Sequence, residues 1–317
     1  MGNQRRTDCP RSLPRPAGLE YHRRSPNRDD PATCRPDRLG SDRRDRRDNA
    51  RCQDAAQTPR AVGPSTVMID RTEIEAIAGR FGAPDAQIIR DHLISHVLAA
   101  VASCPDRVSV TFFGGTALCR TWLPDLRLSE DIDLLIDSST DCDGLRTHVS
   151  RRLRREFPNL EWTRLGSQHQ VETWTLAAYD LGVKVQFVQW RRGWEAIPIV
   201  PKPVRLRYSD LPDSAELRVP TPSGFAAMKL MAWFDRQAPR DLYDLAALAD
   251  AGHIDDAAVR LVRSIAGFTP SATTLGRRVP RSVESSWQTE LGHQVSDLAS
   301  PADCLDHVRT ALGYSGE

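Results

Sequence analysis

Two aspartates, Asp131 and Asp133, adjoin a short apolar run that predicts a buried strand over residues 132–136. Because residues two apart on a strand point to the same face, the two carboxylates should project together while Ile132 and Leu134 enter the core. Adjacent carboxylates repel each other unless a cation lies between them. Mg²⁺ or Mn²⁺ prefers oxygen ligands and shares carboxylates with phosphate groups, so the pair predicts a metal–phosphate site.

A glycine turn precedes the two aspartates in the chain. Gly114, Gly115 and Thr116 follow the β-branched and aromatic run 108–113, which predicts a strand that enters a tight turn before a helix. Such a turn exposes backbone N–H groups to phosphate oxygens. A Gly-Gly turn or an Asp-x-Asp pair alone is common for structural reasons, but the two together favour a metal–nucleotide site.

Lys229 is one of only three lysines among 43 basic residues. A lysine kept against so strong a preference for arginine suggests a need for a compact ammonium. It lies in an Ala-rich helical segment, where the alternative is a side chain extended along the helix edge. The next predicted helix carries Arg240, Asp241 and Asp244, and its leucines form a stripe that is expected to be buried. For these charged residues, the alternative to an active-site role is a solvated ion pair between Arg240 and Asp244.

These segments resemble the nucleotidyltransferase toxins of the AbiEii/MenT type, in the polymerase-β-like superfamily. The matching motifs are the Gly-Gly-Thr turn, Arg127-x-Ser129-x-Asp131-x-Asp133, the segment 222–232 around Lys229 and the segment 240–245; together they span roughly residues 110–250. The resemblance implies an α+β fold: a polymerase-β-like nucleotidyltransferase domain, with a small mixed sheet and flanking helices, followed by a helical C-terminal domain.

The resemblance also implies roles for individual residues. The residues implied as catalytic are Asp131, Asp133, Lys229 and Asp244, of which Asp131 and Asp133 would hold Mg²⁺ or Mn²⁺. The residues implied as nucleotide-binding are Gly114, Gly115, Thr116, Arg127 and Ser129. Asp244, rather than Asp241, would position Lys229 or the nucleotide.

The implied activity is that of a toxin in a type IV-like toxin–antitoxin pair. It would transfer a nucleoside monophosphate, with a pyrimidine expected, from NTP to the 3′ end of tRNA. A cognate antitoxin encoded next to the toxin is the implied protein partner.

One position departs from the superfamily pattern, which usually has a third acid on the strand after the Asp-x-Asp hairpin. Here the predicted strand 182–188 carries Gln186 at that place, and a glutamine cannot take a proton. Asp180 or Glu172 could substitute, Asp133 alone could orient the hydroxyl, or activity could be impaired. The alternatives for the whole protein are therefore a degenerate nucleotide- or RNA-binding module, or a transferase acting on a protein or small-molecule hydroxyl.

Two further groups of residues carry weaker signals. Arg191, Arg192 and Arg205 lie in a basic stretch with tryptophans, which predicts contact with the acceptor end of RNA; a solvated strand edge is the alternative. His92 and His96 are four apart on a predicted helix, but Leu93 stands where an HExxH zinc motif needs glutamate. We therefore expect them to be core or surface histidines.

Secondary-structure patterns place these residues on alternating element types. Thr72 and Glu75 have capping-box spacing at the start of a first helix, and a second helix is predicted over 85–103. Besides 108–113 and 132–136, strands are predicted near 160–166, 170–178 and 182–190, a helix over 143–157, and only helices from Pro222. Strands followed by helices predict a nucleotidyltransferase domain at 68–210 and a helical domain at 211–317.

The composition of the 317 residues divides the chain. Residues 1–66 hold 15 Arg and 9 acidic residues, so they carry +6 and the remainder carries −5 of the total +1. This segment lacks Ile, Phe and Trp and is expected to be disordered, either as a basic arm for RNA or as a dispensable extension. The absence of a long apolar run, a signal peptide or a Cys-x-x-Cys pair favours a cytoplasmic protein without a membrane, disulfide framework or zinc site.

Overall fold

A seven-stranded mixed sheet organises the part of the chain that the computed structural model describes, residues 69–168, 170–178 and 181–313. The strands are β1 (Val110–Phe113), β2 (Asp131–Ile136), β3 (Glu161–Gln168), β4 (Val171–Ala178), β5 (Leu181–Gln189), β6 (Ile199–Arg205) and β7 (Ser214–Pro220). Their order across the sheet is β3-β4-β5-β2-β1-β7-β6. The expectation for residues 1–66 lies outside the described residues.

The central strand β2 pairs with β1 in antiparallel and with β5 in parallel orientation. β1 pairs in parallel with β7, and the outer pairs β3–β4, β4–β5 and β6–β7 are antiparallel. This mixed sheet with flanking helices confirms the predicted fold class. Because β2 has a neighbour on each side, the side chains at its start lie over the middle of the sheet and not at an exposed edge.

Helices cover the sheet and continue to the C-terminal end of the described residues. They are α1 (Arg71–Phe81), α2 (Asp85–Ala102), α3 (Gly114–Thr121), α4 (Cys142–Leu153), α5 (Pro222–Arg236), α6 (Pro239–Asp250), α7 (Asp256–Ala266), α8 (Ala272–Leu275), α9 (Arg281–Leu291) and α10 (Pro301–Ala311). No helix among the described residues combines the length and apolar character required to cross a bilayer.

The alternation of β2 separates an apolar face from a polar face. Ile132 and Leu134 are buried in the main core, as the sequence predicted, together with Val97 of α2, Val149 of α4 and Phe187 of β5. The carboxylates of Asp131 and Asp133 lie on the opposite face, because successive strand residues alternate.

Helices α5 and α6 are joined by a connection of only two residues. Gln237 adopts a left-handed conformation with φ 49° and ends α5, and Pro239 occupies the first turn of α6. Leu242, Leu245 and Leu248 form the predicted buried stripe of α6. The short link holds the end of α5 against the start of α6, so the polar residues of the two helices meet.

Some boundaries differ from the sequence predictions. The side chain of Asp70, and not that of Thr72, caps α1, by accepting a hydrogen bond of 2.7 Å from the backbone N–H of Thr72. Strands β6 and β7 were not predicted, because their prolines disguise the β pattern. The expected boundary at residue 210 falls in the loop between these paired strands, so the segment 211–317 begins with a strand of the sheet and is not wholly helical.

Candidate active site

The acidic pair at the start of β2 faces two polar residues of β5. Asp131 is directly opposite Lys184 in the parallel register, and Asp133 is opposite Gln186. Lys184 Nζ lies 2.8 Å from Asp131 Oδ2. The sheet therefore places a cation beside one carboxylate and a neutral amide beside the other.

The pKa of Asp133 is perturbed by its surroundings. Burial and the neighbouring Asp131 raise its pKa to about 6, although Lys184, Lys229 and Arg236 act in the opposite direction. A further cation between the two carboxylates would stabilise the ionised form of Asp133, because it would neutralise the pair. The two carboxylates offer hard oxygen donors on one face of a rigid strand, and this donor set fits Mg²⁺ or Mn²⁺.

The glycine turn brings the start of α3 against these carboxylates. Helix α3 begins at Gly114, directly after β1, and Gly114 has φ +79°. A Cβ atom on Gly114 would overlap Oδ2 of Asp133, and one on Gly115 would overlap the guanidinium of Arg127. Phe113, at the N-cap, provides no side-chain hydrogen bond. The N–H groups of the first turn are thus beside the acidic pair without a side-chain cap, as a phosphate site requires.

Thr116 and Ser129 connect this turn to β2. Thr116 Oγ1 lies 2.7 Å from Ser129 Oγ and also contacts the carbonyl oxygen of Asp131. Both hydroxyl side chains belong to buried residues. Their position supports a role in fixing the glycine turn against the strand, whereas the sequence suggested direct contact with the nucleotide.

The ammonium group of Lys229 lies between two carboxylates of α6. Its Nζ is 3.0 Å from Asp241 Oδ1 and 2.6 Å from Asp244 Oδ2. Burial disfavours the charged ammonium, but Asp244 and Asp241 outweigh this effect and raise the pKa of Lys229. Lys229 is therefore a fixed cation, and its charge acts on Asp133. The alternative of a lysine extended along the helix edge does not hold.

Asp241 receives a second cation from the end of α5. Arg236 Nε lies 2.7 Å from Asp241 Oδ2, and its Nη2 lies 3.0 Å from Oδ1. Burial opposes ionisation of Asp241, but Lys229 and Arg236 prevail and lower its pKa to about 2. Both acids of α6 thus hold cations in place, whereas the sequence singled out Asp244 alone.

The place of Arg127 differs from its expected contact with the nucleotide. Its guanidinium is buried, with Nε 2.8 Å from Asp244 Oδ1 and Nη2 2.9 Å from Asp244 Oδ2. Nη1 donates to the carbonyl of Leu128 and to Gln294 Oε1. Because these bonds occupy the guanidinium, Arg127 orients Asp244. Arg240, the other candidate partner of Asp244, lies instead 3.7 Å from Glu290.

Sequence reasoning missed three residues that complete this site. Lys184 carried a signal, since it lies two residues before Gln186 on the predicted strand 182–188 and so shares its face. Arg236 carried a weaker one, as the last residue of α5, three positions before Pro239 begins α6. Gln294 carried none, because it binds Arg127 from a segment 167 residues away in the chain.

The structure shows whether Glu172 could replace the third acid that is expected at the position of Gln186. In the register of the sheet, Gln186 lies between Asp133 and Thr173, so these three residues share one face. Glu172 is opposite Phe187 and therefore lies on the other face, where it pairs with Arg164 at 2.8 Å. Glu172 does not substitute for the missing acid. Asp180 lies outside the described residues.

The predicted RNA-binding arginines do not form one patch. The Cζ atom of Arg191 lies over the ring of Trp194, 5.1 Å from its centroid. The Trp194 ring packs edge-to-face on Phe113, the residue before the glycine turn. Arg192 is exposed in the same turn. Arg205 lies at the far end of β6, where Nη1 is 3.2 Å from Asp125 Oδ1. Arg191 and Arg192 therefore lie near the candidate site, and Arg205 is separated from them by a strand about 20 Å long.

Comparison with known proteins gives the family. The model of the AbiEii nucleotidyl transferase toxins of type IV toxin–antitoxin systems matches residues 96–300. None of the curated proteins matches the chain. The nucleotidyltransferase toxin MenT4 from Mycobacterium tuberculosis is 18% identical, with a TM-score of 0.53 over 77% of this chain and 89% of that one. A protein from H. pylori described as a nucleotidyltransferase is 15% identical, with a TM-score of 0.45 over 71% of this chain and 92% of that one.

The family match covers the acidic pair, the glycine turn and the lysine–aspartate cluster, and the fold agrees with it. The chain belongs to the AbiEii family of nucleotidyltransferase toxins.

Proposed function

We propose that this nucleotidyltransferase is Mg²⁺-dependent and transfers a nucleoside monophosphate, preferentially a pyrimidine nucleotide, from NTP to the 3′ end of tRNA. The observation that carries the proposal is the convergence of Asp131 and Asp133, the uncapped first turn of α3 and the fixed cation Lys229. The choice of tRNA and of a pyrimidine rests on the family resemblance. A cognate antitoxin is the proposed protein partner, as expected of a toxin in a type IV pair.

The residues divide the work of binding the triphosphate. Asp131 and Asp133 would hold Mg²⁺, which neutralises triphosphate charge when bound. The N–H groups of Gly114, Gly115 and Thr116 donate to phosphate oxygens. Lys229 has three ammonium donors and uses two on Asp241 and Asp244, so one remains for a phosphate oxygen.

The transfer itself needs positioning more than covalent chemistry. The acceptor's 3′ hydroxyl oxygen attacks the α-phosphorus, the bond to the β-phosphate oxygen breaks, and pyrophosphate leaves. Asp133 orients the attacking hydroxyl and accepts its proton, because Gln186 beside it cannot accept one. Arg191 and Trp194, next to Phe113, offer a cation and an aromatic face for the end of the acceptor strand.

The test is incubation with each labelled NTP in turn, Mg²⁺ and total tRNA. We expect label on tRNA with a pyrimidine NTP, and a loss of about a hundredfold or more in Asp131→Asn. Asp143→Asn is the matched control, because this carboxylate is 85% exposed on α4; it should transfer label as the parent does. Transfer that persists in Asp131→Asn or without divalent metal would contradict the proposed site.

A second candidate function is nucleotide binding without transfer, and Gln186 beside Asp133 is the observation that favours it. Saturable NTP binding that needs Asp131, without label on tRNA, protein or small acceptors, would establish this function and overturn the first. Label on protein or on a small molecule would keep the transferase and replace the acceptor.

A further inference from the structure

Three metal-ligating side chains converge at a place that the proposed transfer does not use. His92 and His96 lie one turn apart on α2, and Asp210 lies in the loop between β6 and β7. His92 Nε2 is 3.0 Å from Asp210 Oδ2, His96 Nε2 is 3.0 Å from the same oxygen, and the two Nε2 atoms are 3.1 Å apart. Three donor atoms thus form a nearly equilateral triangle. By contrast, the proposed nucleotide site is built from β2, α3, α5 and α6.

Hydrogen bonds alone do not satisfy the two Nε2 atoms and Asp210 Oδ2 together. Each neutral imidazole carries one proton, on either Nδ1 or Nε2. If both Nε2 atoms are protonated, two N–H groups point at one carboxylate oxygen and crowd each other at 3.1 Å. If one is unprotonated, it can accept from the other Nε2–H at 3.1 Å, but its lone pair then also faces the lone pairs of Asp210 Oδ2 at 3.0 Å. A cation that accepts all three lone pairs removes both conflicts.

The spacing fits a transition-metal ion. At metal–ligand distances of about 2.0–2.2 Å, donor atoms about 3 Å apart subtend angles of roughly 90–100° at the metal. All three ligands then occupy one side of the ion and leave the opposite positions open. Two imidazoles and one carboxylate suit Zn²⁺ and Co²⁺ better than Mg²⁺, which prefers oxygen donors alone.

The surrounding structure holds the three ligands in place. The hydroxyl of Tyr208, two residues before Asp210, donates to the carbonyl of Ile88 at 3.0 Å and lies 3.0 Å from Asp91 Oδ2. The backbone N–H of Ser209 donates to Glu73 Oε1 at 2.9 Å. The loop that carries Asp210 is therefore already fixed against α1 and α2. A site with such supports loses little conformational entropy when it binds a ligand.

We propose that His92, His96 and Asp210 form a second metal site, which binds one Zn²⁺-like transition-metal ion and joins α2 to the β6–β7 loop. The ion would connect a helix that covers one sheet face to the loop joining β6 and β7. It is distinct in place and in ligand chemistry from the carboxylate pair of β2.

The experiment is a Zn²⁺ titration of the full chain, free of histidine tags, in competition with a chromophoric chelator and with excess Mg²⁺ present. We expect one tightly bound Zn²⁺ per chain, a rise in the thermal unfolding midpoint, and visible absorption from imidazole-bound Co²⁺ when Co²⁺ replaces Zn²⁺. Asp210→Asn should weaken Zn²⁺ binding by at least about tenfold, and His96→Gln should do the same.

Asp213→Asn is the matched control, because Asp213 is exposed in the same loop and is not part of the cluster. It should bind Zn²⁺ as the parent does, and Asp133→Asn should do so as well. Asp210 is partly exposed, so its variant should fold even if His96→Gln does not. Absence of saturable Zn²⁺ binding, or equal affinity in the parent and Asp210→Asn, would overturn the proposal without touching the transferase.

Discussion

The charged residues in the candidate site mainly neutralise one another in ion pairs. Lys229 is flanked by Asp241 and Asp244, and each of these carboxylates has a second cationic partner, Arg236 and Arg127 respectively. This cluster contains three cations and two anions, so it carries a net positive charge, and Lys229 and Arg236 act on the nearby Asp133. Such a surplus suits a polyanionic triphosphate, and the close pairing keeps the buried charges from being left uncompensated.

Asp241 gives a prediction on pH dependence. Its pKa is about 2 in the folded protein against the usual 3.8, so its ionised form stabilises the fold above pH 4, and this contribution is lost as pH falls through about 2. The shift corresponds to roughly 2–3 kcal/mol. We expect Asp241→Asn to lower the free energy of unfolding by about this amount at pH 7 and by progressively less toward pH 3, measured by urea unfolding.

Asp143→Asn serves as the control for this pH series, because the ion pair of this exposed carboxylate with Arg146 should contribute less than about 1 kcal/mol to the free energy of unfolding. If the difference in the free energy of unfolding between the parent and Asp241→Asn stays constant from pH 7 to pH 3, the ion pairs of Asp241 are not the cause of the difference.

At the scale of elements, the site depends on how closely α3 approaches its neighbours. The helix follows β1 without a loop, and its first two glycines face Asp133 on β2 and Arg127 in the segment before β2. Helix α6 supplies Asp244 to the same place, since a Cβ on Gly115 would also lie 3.5 Å from Asp244 Oδ2. The absence of side chains at these glycines therefore allows three elements to meet.

Gly115→Ala tests this close approach. The added methyl group would overlap the guanidinium of Arg127, which is buried and bound to Asp244, so neither group can move away freely. We expect a loss of about 1–3 kcal/mol in the free energy of unfolding and a loss of nucleotide transfer. Urea unfolding and the labelled-NTP assay measure the two effects.

Gly79→Ala is the matched control on α1, where an added Cβ meets no atom of the described residues within 4 Å. Because alanine favours a helix interior, the control should raise stability by about 0.5–1 kcal/mol. If Gly115→Ala behaves like Gly79→Ala, the space at Gly115 is not limiting and the role assigned to the turn is wrong.

For the whole molecule, net charge says little about RNA binding. The total of +1 combines +6 in residues 1–66 with −5 in the rest of the chain, so RNA contact by residues 67–317 must rest on local groups. Of the predicted RNA-binding arginines, Arg205 is paired with Asp125, and the nearby side chain of Arg207 is buried against Asp91. The turn of Arg191 and Arg192 is the remaining candidate close to the site.

We therefore expect the double variant Arg191→Ala/Arg192→Ala to weaken tRNA binding more than NTP binding, and to make the salt dependence of tRNA binding less steep. Filter binding at several salt concentrations and NTP titration provide the two readouts. Arg71→Ala, a change at an exposed arginine of α1, is the control and should alter neither. Equal losses for tRNA and NTP would remove the RNA-binding assignment.

The sequence by itself determined the features that depend on local periodicity. Asp131 and Asp133 share a face because strand residues alternate, and the buried stripe of α6 follows from helical spacing. The resemblance of several motifs in order was enough to identify the family. The periodic features hold because each depends on residues only a few positions apart, and each motif of the family is itself a short local segment.

The tertiary structure alone decided which charges meet. Arg127 and Asp244 are separated by 117 residues, and His92 and Asp210 by 118. Lys184 reaches Asp131 only because β5 lies parallel to β2 in one register, and a slip by one residue would turn its side chain to the other face. Local patterns specify how each segment folds, whereas contacts between distant segments depend on strand order and helix packing, which no short-range period encodes.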